Sequence, residues 1–71
     1  SAGSAERKLA QYLLVVGGGT DEVTTSATRL SALIGVGRAS LYRAFEELEQ
    51  EGAILREGKL IRILDRKKLQ I

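Results

Sequence analysis

Two arginines five positions apart, Arg38 and Arg43, stand near the front of "GVGRASLYRAFEELEQEG", residues 35–52, with Tyr42 beside the second. The back of the same stretch carries Glu46, Glu47, Glu49 and Glu51. Guanidinium groups are always charged and present a planar fork of donors, so a pair of them at one end of a segment suits an anion. Carboxylates gathered at the other end would be kept away from that anion. The alternative is a solvated helix face on which Arg43 and Glu47 form an ordinary i,i+4 pair. Covalent chemistry has little to work with, because the chain contains no His and no Cys. The usual general bases, soft metal ligands and strongest nucleophiles are therefore missing, and no pattern offers a Ser or Thr nucleophile a base. An enzyme is not expected.

The chain has 71 residues, enough for one small domain with a modest core. It is 44% hydrophobic and 28% charged, as in an ordinary folded domain. The net charge of +2 does not by itself indicate nucleic acid; what matters is whether the cations share a face. The absence of cysteine excludes disulfides and suits a cytoplasmic location. No long apolar run or signal-peptide pattern occurs, so no membrane partner is expected. The opening "SAGSA" lacks an initiator Met and reads as an expression scar, which places residues 1–3 outside a domain expected to span 4–71.

The elements that must carry the arginines can be read from periodicity. "SAERKLAQYLLVV", residues 4–16, predicts a helix with Ser4 as cap and Leu9, Leu13 and Val16 on its apolar side, Tyr12 beside them. "GGGT" ends it. No Gly-Lys-Ser/Thr follows, and Asp21 and Glu22 would repel a phosphate, so the glycines read as a linker and not a phosphate cradle. The β-branched "EVTT", residues 22–25, suggests a short extended segment. "SATRLSALIG" predicts a helix capped by Ser26 and stopped by Gly35, with Ala27, Leu30, Leu33 and Ile34 on one side. A third helix is expected from about Arg38 to Glu51, with Leu41, Ala44, Phe45 and Leu48 inward. "AILRE" and "KLIRILD" predict a hairpin turning at Glu57-Gly58-Lys59, and "RKKLQI" a partly frayed basic tail or short helical turn.

Two short helices joined by a tight glycine-containing turn are the signature of a helix-turn-helix, and a following hairpin makes it a winged one. The expected fold class is mostly α with a small β-hairpin, three helices plus wing. In such motifs the N-terminal residues of the second helix contact base edges in the DNA major groove. Projection at about 100° per residue puts Arg38, Ala39, Tyr42, Arg43 and Glu46 on the arc opposite the apolar set. Arg38 and Arg43 can pair with guanine edges or clamp phosphates, and Tyr42 can donate to phosphate or pack on a thymine methyl.

Residues 23–69, "VTTSATRLSALIGVGRASLYRAFEELEQEGAILREGKLIRILDRKKL", resemble the DNA-binding domain of the cyclic-AMP receptor / fumarate-nitrate-reduction regulator (Crp/Fnr) family, and "ERKLAQYLL" resembles the segment preceding it. The most specific part runs from "LSALIGVGRASLYRAFEELEQEGAI" through "GKLIRILD". The resemblance implies that Arg38 reads a guanine and Arg43 makes a second contact one turn later. It implies phosphate contacts for Ser40, for Ser26 at the cap of the first motif helix and for the wing-tip Lys59. Thr28 and Arg29, off the apolar side of that helix, join the phosphate candidates. Two positions depart from the family pattern. Gly37 replaces the usual Ser before the arginine, and Ala39 replaces the usual Glu after it. Ala39 accepts no hydrogen bond and can only touch a methyl or leave space, so the familiar family operator is not expected.

The expected partners are double-stranded DNA with an inverted repeat and, in the full-length protein, a second copy of the chain; RNA polymerase is left open. The resemblance places no cofactor in this fragment and an unspecified effector in a separate sensor domain. The competing reading is a winged helix for protein contacts, using Tyr42, Leu55 and the hairpin without DNA.

Overall fold

The computed structural model describes residues 2–71; Ser1, part of the expected scar, lies outside them. The order is α1 (Ser4–Val16), β1 (Glu22–Thr24), α2 (Ala27–Ile34), α3 (Arg38–Gln50), β2 (Ile54–Glu57), β3 (Leu60–Ile63) and a closing 3-10 helix (Arg66–Leu69). The three helices and the hairpin therefore form as the sequence predicts, giving a winged helix-turn-helix. The extended segment before α2 does more than expected. It pairs antiparallel with β3, Val23 opposite Ile61, and makes a three-stranded sheet of order β1-β3-β2.

Strand alternation then sorts the side chains. Val23, Ile54, Ile61 and Ile63 point into the core, while Glu22, Arg62 and Leu55 lie in one row across the outer face, Glu22 and Arg62 forming an ion pair at 3.4 Å. The core itself joins Leu9, Ala10 and Leu13 of α1, Leu30 of α2, and Leu41, Ala44, Phe45 and Leu48 of α3 to those strand residues.

Several local expectations are corrected by long-range packing. Ser4 is the first helical residue of α1, and Gly3 occupies the cap with no side-chain bond. Val16 is 52% exposed and Leu33 56% exposed, so neither belongs to the core. The tail is not frayed: Asp65 caps the 3-10 helix through Lys67 N–H, and Leu69 is buried.

The triple glycine is also more than a linker. Arg66 reaches back to it, donating to the carbonyls of Gly17 (3.0 Å) and Gly18 (2.6 Å) while its Nε donates to Asp21 at 2.7 Å. Gly17 is packed so closely that a Cβ there would lie 2.6 Å from Ile63 Cδ1 and 2.8 Å from the Leu13 carbonyl oxygen. Gly17→Ala is therefore expected to destabilise the domain by about 1–3 kcal/mol through overpacking. Gly19→Ala, with nothing within 4 Å of its Cβ, should stay within about 0.5 kcal/mol, and urea titration of the two variants checks both values.

Candidate nucleic-acid interface

The turn that sets α2 against α3 is built from local chemistry. Ser26 Oγ accepts from the Arg29 N–H at 3.1 Å and starts α2. Gly35 stops it in the left-handed region at φ 69°, a conformation that costs glycine nothing. The Ser31 carbonyl accepts from both Gly35 N–H (3.0 Å) and Val36 N–H (3.2 Å), and the Ser31 hydroxyl donates to the Val36 carbonyl. Ser31 thus locks the turn, a role its place off the apolar stripe did not reveal.

Helix α3 begins with Gly37 as a cap that offers no side-chain acceptor. Its first N–H groups are left to an outside partner, and the positive end of the helix favours an anion there. Arg38, Ala39, Tyr42 and Arg43 are exposed on the arc beyond it, whereas Ser40 is half-buried toward the flank. The two ion pairs among the described residues are Glu22–Arg62 and Asp21–Arg66, so neither arginine of α3 is neutralised. The Arg43–Glu47 pair of the solvated-face alternative is not formed.

The phosphate candidates of α2 and of the wing are tied together through the backbone. Thr25 N–H donates to the Lys59 carbonyl at 2.9 Å, extending the β1–β3 ladder and tying the wing turn to the residue before Ser26. Ser26, Thr28 and Arg29 at the start of α2 and the exposed Lys59 are thereby held by one backbone link. Ser26 keeps its hydroxyl proton free for a further acceptor, since its oxygen serves the cap.

The carboxylates of α3 do not form one outward face. Glu46 lies on the open arc, but Glu47 and Glu51 turn toward α1 and line, with Glu6 and Arg7, a groove of about 490 Å³. Glu6 is only 4% exposed. Burial raises its pKa above the ordinary 4.5, and the nearby Glu51 and Glu47 carboxylates raise it further. The folded state therefore holds this proton more tightly than the unfolded chain. Its stabilising contribution is complete below the unfolded value and is lost as pH rises through the folded one. Stability is expected to decline as pH rises from the ordinary carboxyl range, and Glu6→Gln should flatten that decline and raise the melting temperature at pH 7. A wild-type profile rising with pH across that range would contradict this assignment.

Sequence reasoning also missed Arg56. It falls in phase with the inward Ile54 on β2 and lies opposite Ile61, and its guanidinium carbon sits 4.5 Å from the Phe45 ring centroid and 5.3 Å from that of Tyr42. The period-two pattern was the available signal. Tyr42, 37% exposed, also meets Phe45 edge-on at 6.1 Å. Its ring is thus partly engaged inside the domain, while Leu55 remains exposed on the outer sheet face.

A family model for the Crp-like helix-turn-helix domain matches residues 7–70, nearly the whole chain. The chain belongs to the Crp-like helix-turn-helix family. It is accordingly a DNA-binding domain of a transcription regulator, of a kind that is typically non-enzymatic. Neither the curated proteins nor the solved structures compared with it give a match. The match takes in every element of this Crp-like domain from β1 to the 3-10 helix, and α1 from Arg7 onward, so it includes the segment before residue 23. No helix among the described residues is long and apolar enough to cross a membrane, and no group of three or more metal-ligating side chains occurs among them.

Proposed function

We propose that this Crp-like domain, spanning 4–71, binds DNA sequence-specifically by laying α3 in the major groove. One observation carries the reading: the open arc of α3 starts with two unneutralised arginines, and it is supported by the Thr25–Lys59 backbone bond, which ties the phosphate candidates of α2 to the wing. Arg38 and Arg43 then address base edges, with Tyr42 beside them and Ala39 offering only a methyl contact. Ser26, Thr28, Arg29, Ser40 and Lys59 fix the register on phosphates, which position but do not specify. The full-length regulator acts as a homodimer on an inverted repeat, with effector binding left to a separate domain and no cofactor here. RNA polymerase is a further partner at such a site.

Selection of bound sequences from random duplex DNA, with an artificially dimerised chain, tests this. Enrichment of an inverted repeat is expected, and recovery of unenriched sequence overturns it. Lys59→Ala should weaken all duplexes alike and lower the salt slope of binding by about 1, as loss of one phosphate contact does. An effect confined to the selected sequence would remove Lys59 from the phosphate set.

A further inference from the structure

Arg56 is an inward-pointing cation in a sheet whose other inward residues are apolar. Its Nε is buried without a hydrogen-bond partner, and no carboxylate pairs with it. An unsatisfied buried N–H is expensive, so the side chain is held by what its flat face touches. Those contacts are the rings of Phe45 and Tyr42, both on α3, at distances where a guanidinium is attracted by an aromatic face. Its other end belongs to the wing: Nη1 donates at 3.3 Å to the carbonyl of Gly58, whose φ of 60° makes the turn that presents Lys59. A single side chain therefore joins the recognition helix to the wing tip.

We propose that Arg56 is a positioning residue that keeps the wing tip in register with the DNA-facing arc of α3, acting through Tyr42, Phe45 and Gly58. This rests on the DNA-binding reading of that face. A planar group is needed for the part. Lysine keeps the charge but supplies neither the flat stacking face nor the fork. Methionine keeps the stem and loses both charge and fork.

The test combines a double-mutant cycle with a spectroscopic reading on the same 71-residue chain. The wild type, Lys59→Ala, Arg56→Met, Arg56→Lys and the two double variants are titrated with a labelled duplex at several low salt concentrations. In the wild type, Lys59→Ala lowers the salt slope by about 1. In either Arg56 background the same change is expected to have less than half that effect, because the lysine is no longer held against phosphate. Full additivity in the Arg56→Met background overturns the inference. So does restoration of the Lys59 effect by Arg56→Lys, which would leave charge as the whole contribution. Nitrogen-15 NMR of the wild type gives a second measure that needs no variant to fold. The Arg56 Nε proton should lie upfield, shifted by the rings beneath it, and exchange slowly. A resonance at the ordinary arginine position also overturns the inference. If the wild type shows no salt-dependent DNA affinity, the DNA-binding reading falls and takes this role with it. Binding with additive mutations removes Arg56 alone.

Discussion

Leu48→Ala is expected to remove about 2–5 kcal/mol of stability, the largest loss from any single change considered. Leu48 has no exposed surface, and its backbone carbonyl also accepts from Ala53 N–H at 2.9 Å, where the chain turns from α3 into the wing. Truncation opens a cavity in the core shared by α1, α3 and the sheet. A domain of this size has a total stability of roughly 4–10 kcal/mol, so the variant should be largely unfolded near its former melting midpoint. Val16→Ala is the informative comparison. Val16 shares the apolar period of α1 but is mostly exposed, and its truncation should stay within about 0.5 kcal/mol. Urea unfolding followed by far-ultraviolet circular dichroism separates the two, and equal losses would contradict the core assignment.

The second large effect concerns recognition. Arg38→Ala is expected to weaken binding to the selected operator by about 1–3 kcal/mol and to relax preference at one base pair. Arg38 stands at the first position of α3, exposed and without an ion-pair partner, beyond a cap that leaves the helix N–H groups free. If it reads a base, affinity for unrelated duplexes falls far less than affinity for the operator. Parallel binding curves on operator, single-base variants and random duplex decide the matter. Equal loss on all of them would make Arg38 a phosphate contact, the role proposed for Lys59.

Local signals were legible in the sequence wherever one or two residues decide an outcome. Ser26 and Gly35 start and stop α2 through bonds that span three or four positions. The inward face of α3 also follows directly from spacing. Leu33 did not, because a stripe's period does not give its centre. At about 100° per residue, Ala27 and Ile34 fall on one side of Leu30 and Leu33 falls on the other. Packing against α3 chose the former, leaving Leu33 exposed. Val16 failed for a different reason: Gly17 itself closes that end of the core against Ile63 and Val23.

Within the site, the arc of Arg38, Ala39, Tyr42 and Arg43 was legible, since it depends on one helix. The gathering of Ser26 with Lys59 was not, because it rests on a bond between residues far apart in sequence. Arg56 was hidden by its charge. A cation in an inward phase is costly unless something accepts it, and the aromatic faces that do so lie on another element. Glu6 was hidden likewise, its burial produced by the end of α3 and not by its own helix.

The pairing of Val23 with Ile61 closes the chain into a loop whose contents are α2, the turn, α3 and β2. The entropy of closing such a loop must be met before either helix gains its full packing, so the motif is not an autonomous hairpin of helices. It belongs to one cooperative opening unit with β1 and β3. Amides of α3 and of the central strand should therefore exchange with solvent at a common free energy, close to that of global unfolding. The helix proposed to meet DNA is then a slowly opening part of the molecule, and it would approach a groove as a preformed wedge.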